Sequence, residues 1–261
     1  MRTILIIGIG AGHPDYLTLQ AISAMQRADV VFLPDKGEEK AGLNAVRLQM
    51  LERAVPEGGY RVAPFTVPER RQADTPGYKG SIDDWRAELM AAYERLFSVD
   101  LHDGETGAFL VWGDPSLYDG TLRIVEDMQA ELDLAVEMIP GISAVQALAA
   151  AHKILLNRVG EAVTITTGRR VAAGEADGLS NFVVMLDNHA AWQRFAAEDA
   201  EIYWGAYLGT ADEILVSGKI AAVQDEIARA RKAAHERHGW IMDTYLIRRP
   251  ERRYPASITW A

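Results

Sequence analysis

Two glycine-rich segments have the residue types and spacing of cofactor-binding turns. The segment GIGAGHPDYLTLQA spans residues 8–21 and follows an apolar run, and VWGDPSLYDG spans residues 111–120 at the end of a second apolar run. Open α/β sheets bind ligands at the carboxyl ends of their strands. Gly113 would let a ligand approach the backbone, and Asp114 could accept a hydrogen bond from a ribose or an amine. A plain Asp-Pro turn before a helix would use the same residues, so this segment alone does not identify a ligand.

The first segment lacks the Gly-x-Gly-x-x-Gly fingerprint of a dinucleotide-binding turn. Counted from Gly8, the third position is His13, and counted from Gly10 it is Asp15. Pro14 also removes a backbone N–H where a pyrophosphate would bind. A nicotinamide-dependent oxidoreductase is therefore a distant alternative.

Two other signals separate these segments from phosphate-binding loops. Thr18 is predicted to be the N-cap of a helix that begins only after a wide loop. Gly218-Lys219 does not belong to the phosphate-binding loop of nucleoside triphosphatases, because Glu213 stands where the first glycine should be.

The composition is that of an ordinary globular protein and excludes several classes of function. The chain has 261 residues, 49% of them hydrophobic, with 37 acidic and 27 basic side chains. A net charge of −10 makes non-specific nucleic-acid binding unfavourable. No apolar run is long enough to cross a membrane, and no secretory signal precedes the first strand. The absence of cysteine excludes disulfides and thiolate chemistry and is compatible with a cytoplasmic location.

Alternation of apolar runs with helical patterns predicts an α/β fold of two domains. In residues 1–139 we predict a parallel, doubly wound sheet with strands at 3–8, 29–33, 60–65, 107–113 and 134–139 and helices at 18–28, 38–54, 82–97 and 118–131. Ile139-Pro140-Gly141 marks the boundary. In residues 140–261 a mixed sheet is predicted, with strands at 162–167, 181–186, 201–207, 214–217 and 240–248 and helices at 142–151 and 219–236.

Residues 66–82 have no periodicity and are predicted to form a substrate-facing loop. Arg70 and Arg71 could clamp carboxylates of an anionic substrate, with Tyr78 and Lys79 as further donors. Adjacent arginines that merely solvate a surface loop would look the same.

His235 and His238 have a spacing that could suggest a metal pair. They stand at the charged end of a predicted helix just before Gly239, where histidines interact favourably with the negative end of the helix dipole. We interpret them as helix-end residues and predict no metal site.

Five motifs in fixed order resemble the tetrapyrrole (corrin/porphyrin) methylase family. They are GIGAGHPDYLT at 8–18, ADVVF at 28–32, GDPSLY at 113–118, IPGISA at 139–144 and LGTADEILVSG at 208–218. The resemblance covers nearly the whole chain. One departure is the loop Ala11-Gly12-His13-Pro14, where the family pattern has Pro-Gly-Asp-Pro.

The resemblance implies methyl transfer from S-adenosylmethionine to a tetrapyrrole, with the cofactor in a cleft between two domains. It also implies a homodimer. The residues that it places at the cofactor are Gly10, Ala11, Gly113, Asp114, Leu117, Ser143, Ala144, Met185, Leu186, Leu208, Gly209 and Thr244.

Within the family, the segments LPDKG at 33–37, VWGDPSLYD at 111–119 and DTYLIRR at 243–249 are most similar to the branch that methylates C-1 of a corrin precursor and releases acetate. Release of acetate involves attack by water on an acyl group, so a general base or a positioned water is expected. Asp35 and His13 are the candidates, although Asp35 could equally cap the following helix. Methylation of another precorrin or uroporphyrinogen carbon is the alternative, and a non-catalytic cofactor-binding regulator is a further one.

Overall fold

A computed structural model of the protein describes residues 1–35, 41–68, 81–239 and 241–250. The chain divides into two compact units, Met1–Ser143 and Ala144–Ala261. No helix among these described residues is long and apolar enough to cross a membrane.

The first unit contains a sheet of five parallel strands. In chain order its elements are β1 (Arg2–Gly8), α1 (Leu19–Met25), β2 (Val30–Asp35), α2 (Ala41–Ala54), β3 (Arg61–Thr66), α3 (Ser81–Arg95), β4 (Thr106–Val111), α4 (Thr121–Gln129) and β5 (Leu134–Ile139). The strand order is β3-β2-β4-β1-β5, and every pair is parallel. A parallel sheet needs cover on both faces, which explains the nearly continuous apolar sequence of β1.

Helices cover both faces of this sheet. Alternate residues of β1 point to opposite sides, so that Leu5 and Ile7 lie in one core with α1 and α2. Ile4 and Ile6 lie in the other core with α3 and α4. The predicted doubly wound architecture is confirmed.

The second unit contains a mixed sheet of five strands. Its elements are α5 (Ala144–His152), β6 (Thr164–Thr167), α6 (Gly168–Ala172), β7 (Asn181–Met185), β8 (Glu201–Ala206), β9 (Ile214–Lys219), α7 (Ile220–His238) and β10 (Asp243–Arg248). The order is β6-β7-β10-β8-β9; β6 and β7 are parallel, and the other neighbours are antiparallel. Its core is built around buried aromatic side chains, among them Trp192, Trp204 and Tyr245.

The helix ends follow local capping chemistry. The hydroxyl of Thr18 accepts a hydrogen bond from the Ala21 N–H at 3.0 Å, which confirms the predicted N-cap. The helix predicted from residue 118 begins only at Thr121, because Tyr118 has φ +57°, outside the right-handed helical region. The Asp119 carboxylate accepts the Thr121 N–H at 2.8 Å. The helix α7 extends to His238, and Gly239 ends it with φ +73°.

Candidate functional site

Three loops meet at the carboxyl edge of the first sheet. The loop after β1 and the loop after β4 are joined by an isolated antiparallel bridge between Gly10 and Gly113. Gly113 N–H donates to the Gly10 carbonyl at 2.8 Å, and Gly10 N–H donates to the Gly113 carbonyl at 3.2 Å. Both residues have positive φ, +81° and +73°, a conformation that glycine adopts without steric cost.

The loop after β5 packs backbone to backbone against the other two. A Cβ atom on Gly141 would lie 2.2 Å from the Gly113 carbonyl oxygen and 2.8 Å from the Gly8 carbonyl carbon. A Cβ atom on Gly8 would lie 2.6 Å from the Gly141 nitrogen. We call the contact of Gly8, Gly10, Gly113 and Gly141 the glycine junction.

The carboxylate of Asp114 ties the glycine junction together. Its Oδ2 accepts the Gly141 N–H at 2.8 Å, and its Oδ1 accepts the Ser116 N–H at 2.8 Å and also the Ser116 hydroxyl. Burial alone would raise the pKa of Asp114, but the hydrogen bonds from Ser116 and Gly141 together hold it below its ordinary value. Asp114 is therefore an anion at neutral pH, and much of its accepting capacity is used within the protein.

The other cofactor candidates of the first unit lie close to the glycine junction in sequence. Ala11 and Ser143 are buried, while Leu117 is partly buried. Ala144, the first residue of the second unit, is also partly buried. The Cα atom of Ser143 is 3.7 Å from the position that a Cβ on Gly113 would occupy. The structure thus places Ser143 beside Gly113.

The cofactor candidates of the second unit share one edge of the mixed sheet. Because β7 and β8 run in the same direction and β10 runs antiparallel between them, the ends of β7 and β8 lie beside the beginning of β10. Thr244 pairs with Met185 in this ladder. Leu208 and Gly209 follow β8, and the Gly209 N–H donates to a carboxylate oxygen of Glu213 at 2.7 Å.

Two residues at this edge have unusual backbone conformations. Leu186 has φ +53° and is 61% exposed, and Tyr207 has φ +49°. Left-handed conformations in non-glycine residues are energetically unfavourable and concentrate at functional sites. Leu186 therefore presents an exposed apolar side chain from a turn with an unfavourable backbone conformation.

A buried aspartate that the sequence analysis missed holds this turn in place. Asp187 follows Leu186 and is 2% exposed. Its carboxylate accepts the N–H groups of His189 and Ala191, each at 2.8 Å, and the Tyr245 hydroxyl at 2.7 Å. Burial and the nearby Asp187 carboxylate raise the pKa of Tyr245, so its hydroxyl stays protonated and donates.

A buried ion pair lies beside Asp187. Arg231 Nε is 3.0 Å from Asp243 Oδ2, which also accepts a hydrogen bond from Trp204 Nε1 at 2.9 Å. Arg231 Nη2 donates to the Asp187 carbonyl oxygen at 2.6 Å, and its guanidinium lies 5.0 Å from the Trp192 ring centroid. Burial raises the pKa of Asp243 to about 6, against the opposing effects of Arg231 and Trp204. The sequence carries no spacing that would have identified this network.

The two candidate bases differ in their surroundings. His13 Nδ1 accepts the Asp15 N–H at 3.1 Å, and the ring is 5.4 Å from the Tyr16 ring, so His13 caps the short 3₁₀ helix Pro14–Tyr16. Asp35 is exposed at the end of β2, and its carbonyl oxygen accepts the Val67 N–H at 3.0 Å. Both lie at the carboxyl edge of the first sheet, where β4 stands between β1 and β2.

The remaining candidates are the four substrate-binding residues and the histidine pair near the end of α7. Arg70, Arg71, Tyr78 and Lys79 lie outside the described residues. His238 is in the last turn of α7, with Nε2 3.8 Å from Asp212 Oδ2. Across the residues with described structure, no cluster of three or more histidine, cysteine, aspartate or glutamate side chains could hold a metal ion.

Comparison with known proteins identifies the family. The sequence profile of the tetrapyrrole (corrin/porphyrin) methylases matches residues 3–224. A protein named precorrin-6A synthase (deacetylating), from Sinorhizobium sp., is 51% identical over 251 residues, which are 95% of this chain and 96% of the relative.

Solved structures give the same result. A protein described as cobalamin synthesis related (CobF), from Corynebacterium diphtheriae, has a TM-score of 0.83 and 41% identity, covering 96% of this chain and 100% of that one. Uroporphyrin-III C-methyl transferase from Thermus thermophilus, solved with S-adenyl homocysteine, shares the fold with a TM-score of 0.55 and 15% identity, covering 94% and 96%. The chain therefore belongs to the tetrapyrrole (corrin/porphyrin) methylases, a family of S-adenosylmethionine-dependent methyltransferases.

Proposed function

We propose that this methyltransferase adds a methyl group to C-1 of precorrin-5 and releases acetate, giving precorrin-6A in aerobic cobalamin biosynthesis. The observation that carries the proposal is the 51% identity, over 95% of the chain, to a protein named precorrin-6A synthase (deacetylating). The 41% identity to a cobalamin-synthesis-related protein supports the same assignment.

The proposed cofactor is S-adenosylmethionine, which leaves as S-adenosylhomocysteine. Such a ligand needs backbone donors and acceptors for its adenine, hydroxyl partners for its ribose and amino-acid part, and an apolar surface. In the first unit, backbone close to Gly10 and Gly113 and the hydroxyl of Ser143 are groups of these kinds. In the second unit, taken by itself, the hydroxyl of Thr244 and the exposed side chain of Leu186 are such groups. The residues present thus fit the chemistry of the group.

When bound, S-adenosylmethionine supplies an activated methyl group on a sulfonium. Transfer then depends on alignment at near-attack distance, which contributes roughly 7–11 kcal/mol in favourable cases. The protein's contribution is to hold the backbone groups around the ligand rigidly. The glycine junction and the hydrogen bonds of Asp187 are suited to this role. We place no acid or metal in this step.

Release of acetate requires a base that activates water. Asp35 and His13 are the proposed candidates in the described part of the first unit. His13 Nδ1 accepts the Asp15 N–H, so the neutral ring carries its proton on Nε2 and its basic nitrogen is Nδ1. His13 could therefore act as the base only after Nδ1 releases that backbone hydrogen bond. We also propose that substrate carboxylates are bound by Arg70, Arg71, Tyr78 and Lys79.

We further propose a homodimer in the cytoplasm. Sedimentation analysis tests the first part directly: a single species with the mass of two chains is expected, and a monomer at micromolar concentration would contradict it. Fractionation of cells that express the protein natively tests the second part.

The experiment that tests the proposed reaction compares acceptors. Purified protein is incubated with methyl-labelled S-adenosylmethionine and with precorrin-5, precorrin-2 or uroporphyrinogen III in parallel. Labelled product is expected from precorrin-5 alone, together with free acetate. A methyl gained by another acceptor without acetate would move the assignment to another ring carbon. Binding of S-adenosylhomocysteine with no labelled product from any acceptor would favour a non-catalytic regulator.

A further inference from the structure

The ladder between β2 and β4 opens before it reaches the carboxyl edge of the first sheet. The two strands pair only over residues 30–32 and 107–109. Beyond these residues β2 continues beside β3 as far as Asp35, whereas β4 continues beside β1 as far as Val111. An opening between two adjacent parallel strands therefore faces the carboxyl edge.

The chain leaves these two strands towards opposite faces of the sheet. The helix α2, which follows β2, packs into the core that contains Leu5 and Ile7, and α4, which follows β4, packs into the core that contains Ile4 and Ile6. In open α/β sheets a crevice forms where neighbouring strands diverge in this way, and ligands bind there.

Two side chains of α2 bridge this opening. Asn44 Nδ2 donates to the Pro34 carbonyl oxygen of β2 at 2.8 Å, and Asn44 Oδ1 accepts from Arg47 Nη1 at 3.1 Å. Arg47 Nε donates to the Leu110 carbonyl oxygen of β4 at 3.0 Å. The two side chains thus replace ladder hydrogen bonds that the separated strands no longer make.

Arg47 is a buried cation whose hydrogen bonds go only to neutral groups. It is 7% exposed, and among the described residues it makes no ion pair and its Nη2 has no hydrogen-bond partner. The Asp119 carboxylate favours its charge only from a distance. Burial lowers the pKa of Arg47 to about 10, so the side chain is still charged at neutral pH.

Five other arginines of the first unit are neutralised by an acidic side chain. They are Arg2, Arg27, Arg53, Arg61 and Arg86. A buried guanidinium without a counter-ion is unfavourable, and a bound carboxylate removes that penalty while forming charge-assisted hydrogen bonds.

We propose that Arg47 is a carboxylate-binding residue and that the opening between β2 and β4 takes one acetate or propionate side chain of the tetrapyrrole. This inference rests on the proposed function for the identity of the ligand. Its structural basis is independent of that function: the split ladder, the divergence of the chain, and a buried cation that forms no ion pair with any residue whose structure is described. Arg47 Nη2 is the donor that the ligand carboxylate would engage.

The test measures binding of uroporphyrin, a stable polycarboxylate tetrapyrrole, by fluorescence titration. Arg47→Met removes the charge, and Arg47→Lys keeps it but cannot hold both the Leu110 carbonyl and a carboxylate. Arg2→Lys is the matched control, because Arg2 Nε also donates to a backbone carbonyl, that of Leu101 at 3.0 Å. S-Adenosylhomocysteine binding is measured on each variant by calorimetry.

Loss of one charge-assisted hydrogen bond predicts that Arg47→Met raises the dissociation constant of uroporphyrin about tenfold to a hundredfold. The affinity for S-adenosylhomocysteine should be unchanged, and Arg2→Lys should bind both ligands as the wild type does. The Michaelis constant for precorrin-5 should rise in Arg47→Lys with little change in kcat.

Two results would overturn the inference. One is a folded Arg47→Met protein that binds uroporphyrin as tightly as the wild type. The other applies if Arg47→Met does not fold. It is an Arg47→Lys protein whose dissociation constant for uroporphyrin and Michaelis constant for precorrin-5 are both unchanged. Arg47-dependent uroporphyrin binding without any methylation of precorrin-5 would refute the proposed function and leave the carboxylate site standing.

Discussion

Of the glycine-to-alanine substitutions in the glycine junction, Gly141→Ala should be the most disruptive. The new Cβ would lie 2.2 Å from the Gly113 carbonyl oxygen, whereas ordinary contacts begin near 3.4 Å. The loops after β4 and β5 would have to separate by about 1 Å, and backbone atoms cannot yield as a flexible side chain does. This movement would also stretch the hydrogen bond from the Gly141 N–H to Asp114.

The expected loss of stability follows from these two effects. Forcing an extra methyl group into closely packed atoms costs about 1–3 kcal/mol, and weakening a hydrogen bond to a charged group costs about 1.5–3 kcal/mol. Together they predict a decrease of about 2.5–6 kcal/mol in the free energy of unfolding of the first unit, measured by urea denaturation. The affinity for S-adenosylhomocysteine, measured by calorimetry, should fall as well.

Gly120→Ala is the matched control. Gly120 lies in the same loop as Gly113, has φ −106°, and has no atom within 4 Å of the position that a Cβ would occupy. Because Gly120 is the N-cap of α4, where alanine is less favourable than glycine, this variant should lose at most about 1 kcal/mol in the free energy of unfolding. A Gly141→Ala protein as stable as Gly120→Ala, with unchanged S-adenosylhomocysteine binding, would refute the reasoning about the glycine junction.

Further predictions concern single capping and buried polar groups. Thr18→Ala should lower the free energy of unfolding by about 1 kcal/mol through loss of the N-cap, and urea denaturation with no measurable change would contradict this. Tyr245→Phe removes one hydrogen-bond donor from the buried Asp187 carboxylate, so the free energy of unfolding should fall by about 1–3 kcal/mol in urea denaturation. S-Adenosylhomocysteine should also bind more weakly by calorimetry, and unchanged affinity would contradict the role given to the Asp187 turn. The pKa of Asp243 is about 6 in the folded protein and about 3.9 when unfolded, so the folded state binds the proton more readily and this group's contribution to stability declines as pH rises from about 4 to 6. Asp243→Asn should therefore show a free energy of unfolding that rises more steeply with pH across that window, and parallel pH profiles would refute the assignment.

Local patterns were sufficient to predict the fold class and the main elements. The strands of the first unit carry apolar runs whose alternation with helical patterns specifies a parallel sheet, and Thr18 marks the start of α1 through its capping chemistry. The two turns that form the bridge between Gly10 and Gly113 were also identified as turns, because glycine and proline clusters at strand ends interrupt the apolar runs; that the two turns pair with each other was not predicted.

Contacts between distant segments explain what the sequence could not reveal. Asp114 was predicted to accept a hydrogen bond from a ligand, and this stays a prediction. The sequence could not show that its carboxylate also accepts the N–H of Gly141, which is 27 residues away and comes close only through the strand order. The Asn44 and Arg47 bridge depends on where the β2 and β4 ladder ends, a property of register. Asp187 is a single aspartate after an apolar strand, and only the fold brings Tyr245 to it.

The most direct test of the proposed reaction is the ratio of methyl groups transferred to acetate released. Precorrin-5 is converted in ¹⁸O-labelled water with S-adenosylmethionine that carries a ¹³C methyl group, and the ¹³C methyl in the tetrapyrrole and the ¹⁸O in free acetate are quantified in the same sample. One labelled methyl at C-1 is expected for each acetate released, with ¹⁸O in that acetate. A ¹³C-methylated product without acetate, or with the methyl at another ring carbon, would contradict it.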